Sequence, residues 1–276
     1  MQTIELKDWA SFEKRLQEIQ QVEVSAGRTA DFLFRGITDS SFPLATTLER
    51  RGREGVRICD YYRLIFNLKP QIESFTGMAW EIAKWPEVEE ALQKYDTWSL
   101  HQFPEEAAYS YMIYLRHHGF PSPLLDWTRS PYIAAFFAFR SISQPREGKV
   151  SICVFSETSE RFKLTSSGKP WIRRIGPYVK THRRHFLQQS DYTMCADFKK
   201  VGGHCSEWHF ARHEDVTLRD DMHQDVLWKF NIPWAERVKV LKTLDSYNLN
   251  EFSLFESLES LMETLAVREM GFGASG

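Results

Sequence analysis

HHGFPSPLLDWTRSPYIAAFFAF, residues 117–139, is the stretch on which the fold turns. Leu124, Leu125 and Trp127 predict an interior strand, and Asp126, Thr128, Arg129 and Ser130 gather polar groups at its end. Pro131 follows, its ring fixing a φ that suits the first turn of a helix. Thr128 or Ser130 would cap that helix by accepting from its free backbone N–H groups. Residues 132–139 mix Ala134, Ala135 and Ala138 with Ile133, Phe136, Phe137 and Phe139. Small and large apolar residues on every side predict a helix packed tightly, on a sheet. A strand, a polar turn and a buried helix together present side chains at the mouth of a cleft. The plainer alternative is a core segment in which Asp126 and Arg129 pair.

Toward the N-terminus, residues 31–37 (DFLFRGI) predict a short apolar strand interrupted by Arg35. A buried arginine needs a partner or a site to point into. Gly36 would let the backbone approach a ligand; a structural ion pair is the other reading of Arg35. Residues 8–21 carry Trp9, Phe12, Leu16 and Ile19 on one stripe and predict an amphipathic helix. Residues 59–114 read as mostly helical, with helices over 61–75, 78–85 and 104–116 and prolines 70, 86 and 104 as punctuation. Toward the C-terminus the expectations are strands at 149–155 and 227–232, then helices at 235–245 and 252–265. No linker divides the chain, so residues 1–276 are expected to form one domain with a helical insertion at about 58–116.

Residues 168–186 hold Lys169, Arg173, Arg174, Lys180, Arg183 and Arg184 without an acid among them, interleaved with Trp171, Tyr178 and Phe186. Cations for phosphates and aromatic faces for bases are what single-stranded nucleic acid requires. The alternative is a segment whose arginines pair with acids elsewhere in the fold. Gln188, Gln189 and Asp191 crowd the start of the strand expected next. Cys205, His209 and His213 recur every four residues and would share a helical face. No second ligand cluster accompanies them, so no metal is expected.

Thirty-five Lys and Arg balance 37 Asp and Glu for a net charge of −2, so any nucleic-acid contact must come from a local patch. Four scattered cysteines without a CxxC fit a reducing cytoplasm. The first residues lack the apolar core of a signal peptide, and no apolar run has the ~20 residues of a membrane span, so no membrane partner is expected. Phosphate-loop, GxGxxG, GxSxG and zinc-protease motifs are all missing, which argues against kinases, Rossmann dehydrogenases and serine hydrolases.

FLFRGITDSSFPL resembles the opening block of the FRG-domain family, and HHGFPSPLLDWTRSPYIAAFFAF resembles its second. RRHFLQQSDYT resembles the third, and the segment beginning LWKFNIPWAERVKVL the closing strand and helix. The order of these motifs is similar to that of ADP-ribosyltransferases, which split NAD and transfer ADP-ribose. That resemblance implies an α+β fold with a split, strongly bent mixed sheet. It implies NAD as co-substrate, with Arg35 on its phosphates or ribose and Gly36 on the nicotinamide amide. Thr128 would support the nicotinamide ribose, oriented by Asp126 or Ser130, and Phe136 or Phe137 would wall the nicotinamide. Gln189 or Asp191 would stabilise the sugar cation. The implied role is a toxin or defence effector held off by an antitoxin. Its acceptor would be RNA or single-stranded DNA, bound through Arg173, Arg174, Lys180, Arg183 and Arg184. Two alternatives stay open: a non-catalytic nucleotide- or nucleic-acid-binding module, and an NAD glycohydrolase.

Overall fold

A computed structural model describes residues 1–25, 31–93, 103–141, 147–157, 170–179, 181–201, 205–216 and 225–271. The elements in chain order are β1 (Gln2–Glu5), α1 (Trp9–Ser25), β2 (Phe32–Ile37), α2 (Ile58–Thr76), α3 (Trp85–Gln93) and α4 (Glu106–His117). They continue with β3 (Leu125–Thr128), α5 (Pro131–Phe139), β4 (Lys149–Ser156), β5 (Trp171–Arg174), α6 (Arg183–Leu187) and β6 (Ser190–Val201). The last are β7 (Cys205–Phe210), β8 (Val226–Pro233), α7 (Arg237–Ser246), α8 (Glu251–Phe255) and α9 (Leu258–Ala266). The fold is α+β. One sheet runs β1-β8-β4-β2-β3-β6-β5, with β7 also on β6. Among the described strands only β1 and β8 run parallel, so the sheet is mixed.

Period-two alternation distributes the apolar side chains of these strands. On one face, Phe32 and Phe34 of β2, Val150, Ile152 and Val154 of β4 and Phe230 of β8 pack under α1, α5 and α7. The helical insertion, α2 to α4, packs on Trp171, Tyr192, Met194, Trp208 and Phe210. Leu33, Leu125, Trp127, Cys153 and Phe155 take the opposite face.

The residues that organise this arrangement are those of the β3–α5 turn. Ser130 caps α5 by accepting from the Ile133 N–H at 3.3 Å, with Pro131 at the first helical position. Thr128 Oγ1 accepts from the Ser130 N–H at 3.2 Å and so fixes the turn itself. Next to it the sheet nearly comes apart. β2 stays in register with β4 from Phe32 to Ile37, yet meets β3 only at Phe34↔Thr128. The arginine spans the opening: Arg35 Nη1 donates to the Asp126 carbonyl at 2.6 Å, taking the place of a ladder bond.

Some expectations change. Residues 78–84 are not helical, because Gly77 stops α2 at φ +70. Glu73 and Glu105 carboxylates then accept from the Trp80 and Ala83 N–H groups at 2.8 and 2.5 Å, satisfying an irregular stretch. Pro70 lies inside α2 rather than ending it. The closing helix is two helices, divided where Glu256 turns at φ +47 and Ser257 begins a capping box. Cys205 and His209 lie on the strand β7 rather than on a helix, so their four-residue spacing builds no shared face with His213.

Candidate functional site

The opening between β2 and β3 is the floor of a cleft of about 320 Å3. Phe34, Arg35, Gly36 and Thr38 come from β2 and its exit, and Asp126 and Thr128 from β3. Phe137 and Arg140 project from α5, and Gln188 and Ser190 close the far side. Three blocks spread along the sequence from Phe34 to Ser190 therefore meet in one concavity.

The charged centre is Asp126. It is pinned from two sides, by Arg35 Nη1 at 2.8 Å and by Arg116 Nη2 of α4. Burial pushes its carboxyl up, but the two guanidiniums outweigh that and hold it well below the usual carboxylate range. Arg129, the partner expected as an alternative, plays no such part; its N–H donates to the Gln189 carbonyl at 3.1 Å. Arg50 completes a cationic group around this carboxylate. Its pKa is depressed by burial and by the nearby charges of Arg35 and Arg116. Three guanidiniums about one aspartate leave a surplus of positive charge around it.

Gly36 has a different reason from the one its sequence context gave. A Cβ there would lie 2.1 Å from the Ala134 carbonyl oxygen and 2.6 Å from the Ala138 amide nitrogen. The glycine is required because α5 crosses directly over β2. Beyond Phe34 the β2 edge that faces β3 has no strand partner among the described residues, so its backbone borders the cleft.

Two residues expected at the chemistry are elsewhere. Register pairs Thr128 with Ser190 and Trp127 with Asp191, and paired side chains share a face. Ser190 therefore joins Thr128 in the cleft, whereas Asp191 is 0% exposed on the other side. There Arg174 Nε and Nη2 donate to its Oδ2 at 3.0 and 2.7 Å. Gln189 sits exposed at a turn with φ +47, and Gln188 lines the cleft in its stead. Ser130 is occupied as the cap of α5 and does not line the cleft, while Phe136 belongs to the core cluster and Phe137 to the cleft wall.

The basic segment divides in the same way. Arg174 is committed to Asp191 and Asp31, and Arg173 Nη1 donates to the Phe103 carbonyl, so these two hold the fold together instead of facing a polymer. Lys180 lies outside the described residues. Arg183 is exposed and pairs with Glu256 at 2.7 Å; Arg184 lies over the Phe255 ring, its guanidinium carbon 5.3 Å from the centroid. Tyr178 and Phe186, each 81% exposed, stand on the same segment. The surviving basic and aromatic surface is thus the α6 end, next to Gln188.

Other reactive groups are held inert. Burial pushes the Cys153 thiol up to about 12, and Cys195 is likewise buried with its thiol raised. No cluster of three or more His, Cys, Asp or Glu suited to a metal occurs among the described residues. No helix among them is long and apolar enough to cross a membrane.

Sequence reasoning reached Arg35, Gly36, Asp126, Thr128 and Phe137, all of which the cleft brings together. It gave no site role to Arg116, Arg140 or Ser190, and it placed Gln188 beside the strand without assigning it to the site. Alternation along β6 was the available signal for Ser190; Arg116 reaches Asp126 only through the packing of α4, which local pattern does not encode. A family model described as the FRG domain matches residues 30–147. No curated protein and no solved structure matches the chain.

Proposed function

We propose, from the match of residues 30–147 to the FRG domain and from the cleft that this stretch lines, that the protein is an NAD-dependent ADP-ribosyltransferase whose acceptor is RNA or single-stranded DNA. The observation that carries this reading is the meeting of Arg35, Gly36, Thr128 and Phe137 in one 320 Å3 cleft, in the size range of small-molecule sites. The near-separation of β2 from β3 supports the split-sheet architecture that the motif order implies.

Each wall of the cleft has a role in this account. The β2 edge at Gly36 offers backbone groups to the nicotinamide amide, and Phe137 supplies its apolar wall. Thr128, whose oxygen already accepts from Ser130, keeps its O–H to donate to the nicotinamide ribose. Arg35, fixed by Asp126, presents a preorganised charge beside that sugar. The bond between the ribose carbon and the nicotinamide nitrogen breaks, and its electron pair leaves with nicotinamide. The sugar becomes cation-like, and Gln188 and Ser190 turn neutral oxygens toward it. The acceptor's nucleophile then bonds that carbon, and its proton passes to solvent. Positioning and electrostatics supply the acceleration.

The surplus of positive charge at Arg35, Arg50 and Arg116, with Arg183, Arg184, Tyr178 and Phe186 exposed on the segment that leads into Gln188, supports a polyanionic, base-bearing acceptor. A toxin or defence role with an antitoxin partner belongs to the same reading.

A second reading rests on one specific feature. Asp126 is the only carboxylate among the described residues lining the cleft, and two arginines already hold it. That favours a module that binds NAD or nucleic acid without turnover. NAD labelled on its adenylate phosphate, incubated with total RNA, single-stranded DNA and lysate, separates the readings. Label on a polymer that Thr128→Val reduces at least tenfold supports transfer. Free ADP-ribose alone identifies a glycohydrolase, and intact NAD that is bound but never consumed identifies the binding module.

A further inference from the structure

A second concavity, of about 540 Å3, opens between α5, α7, α8 and α9. It shares Thr38 and Arg140 with the cleft, so the two form adjoining compartments with that arginine at the seam. Arg140 is held there from several sides. It donates to Glu251 Oε1 at 2.6 Å and lies over the Phe255 ring at 5.0 Å and the Phe137 ring at 5.9 Å. A guanidinium with five N–H donors keeps others for a phosphate after making the Glu251 contact.

The interior of the larger compartment is balanced in charge. Arg237 donates to the Phe139 and Ser141 carbonyls, and Arg268 pairs with Asp245 at 2.8 and 2.9 Å. Asp245, Glu251 and Glu263 set three acids against Arg140, Arg237 and Arg268. A second highly charged group would find no unspent cation inside. An uncharged, partly apolar group would find Leu241, Leu249 and Val267 for a planar ring, and carboxylates to accept from a sugar diol.

We propose that the 540 Å3 compartment takes the adenosine half of the dinucleotide, with the diphosphate crossing the seam at Arg140. This rests on the NAD reading above and assigns the phosphate contact to Arg140 in place of Arg35, which Asp126 already engages. Glu263 is exposed and lines the compartment, so Glu263→Trp fills it without entering the core.

Titrations of NAD and nicotinamide mononucleotide into the full chain and its variants test the assignment, with thermal melts confirming that each variant folds. Glu263→Trp should weaken NAD at least about tenfold and leave the mononucleotide unchanged, whereas Arg140→Gln should weaken both. An independent readout is photolabelling with NAD carrying an azide on the adenine ring, which should mark peptides from residues 237–268. NAD affinity untouched by Glu263→Trp, or label elsewhere on the chain, overturns this inference and leaves the NAD reading standing. Absence of NAD binding to the unmodified protein overturns both.

Discussion

Gly36 carries the tightest steric constraint at the site. Any side chain there collides with the backbone of α5 at Ala134 and Ala138, and backbone cannot swing aside as a side chain can. Gly36→Ala should therefore destabilise the fold by about 3 kcal/mol, read as a lower urea midpoint with an unchanged m-value. His213 makes the second prediction at this scale. It is wholly buried, its Nε2 2.8 Å from Thr193 Oγ1, which also accepts from the Trp127 indole at 2.7 Å. Burial and the charge of Arg35 depress its pKa to about 3. The folded state refuses a proton that the unfolded chain accepts below about pH 6.5. Nothing is lost above that pH, and stability falls as pH drops from about 6.5 toward 3, by about 1 kcal/mol per pH unit from this group. His213→Gln should flatten that part of the pH–stability curve relative to the unmodified chain.

At the scale of elements, β6 decides what each of its neighbours can do. Its register sends Ser190 to the cleft and Asp191 to the Arg174 pair, so the two have separable consequences. Asp191→Asn removes the buried carboxylate from an ion pair and should cost about 3 kcal/mol of stability, lowering Tm by several degrees. Ser190→Ala should leave Tm nearly unchanged and weaken NAD. A catalytic Asp191 would show the reverse pattern. The same strand shows where sequence reading succeeds. β2, β3 and α5 were legible because their signals are local: an apolar run ended by Arg-Gly, a hydroxyl cap, then proline and alanines. β1 was not, since QTIE owes its strand to a parallel edge on β8 rather than to its own pattern. Gln189 and Asp191 were the residues expected at the site, and the structure turns Gln188 and Ser190 to the cleft instead, one position out of phase. That error moves each polar side chain to the opposite face.

Across the whole molecule, the helical insertion and the C-terminal helices both connect to the cleft through single arginines. α4 supplies Arg116 to its charged centre, and Arg140 joins it to the compartment beneath α7 to α9. The α+β class followed from the resemblance of the motif order, and the largely helical character of the stretch from Ile58 to His117 was readable from local pattern. The second compartment was not, because it arises where α5, α7, α8 and α9 pack and no single segment carries its pattern. A ligand that bridges these layers binds the folded state alone, so NAD should raise Tm in proportion to its concentration over Kd. A cleft that takes NAD should show, in isothermal titration of NAD into the purified chain, one site with a Kd on the order of 1 µM to 1 mM, the range of enzyme substrates, and at least tenfold weaker binding in Thr128→Val. No saturable binding at millimolar NAD, or binding indifferent to Thr128→Val, would contradict the NAD reading.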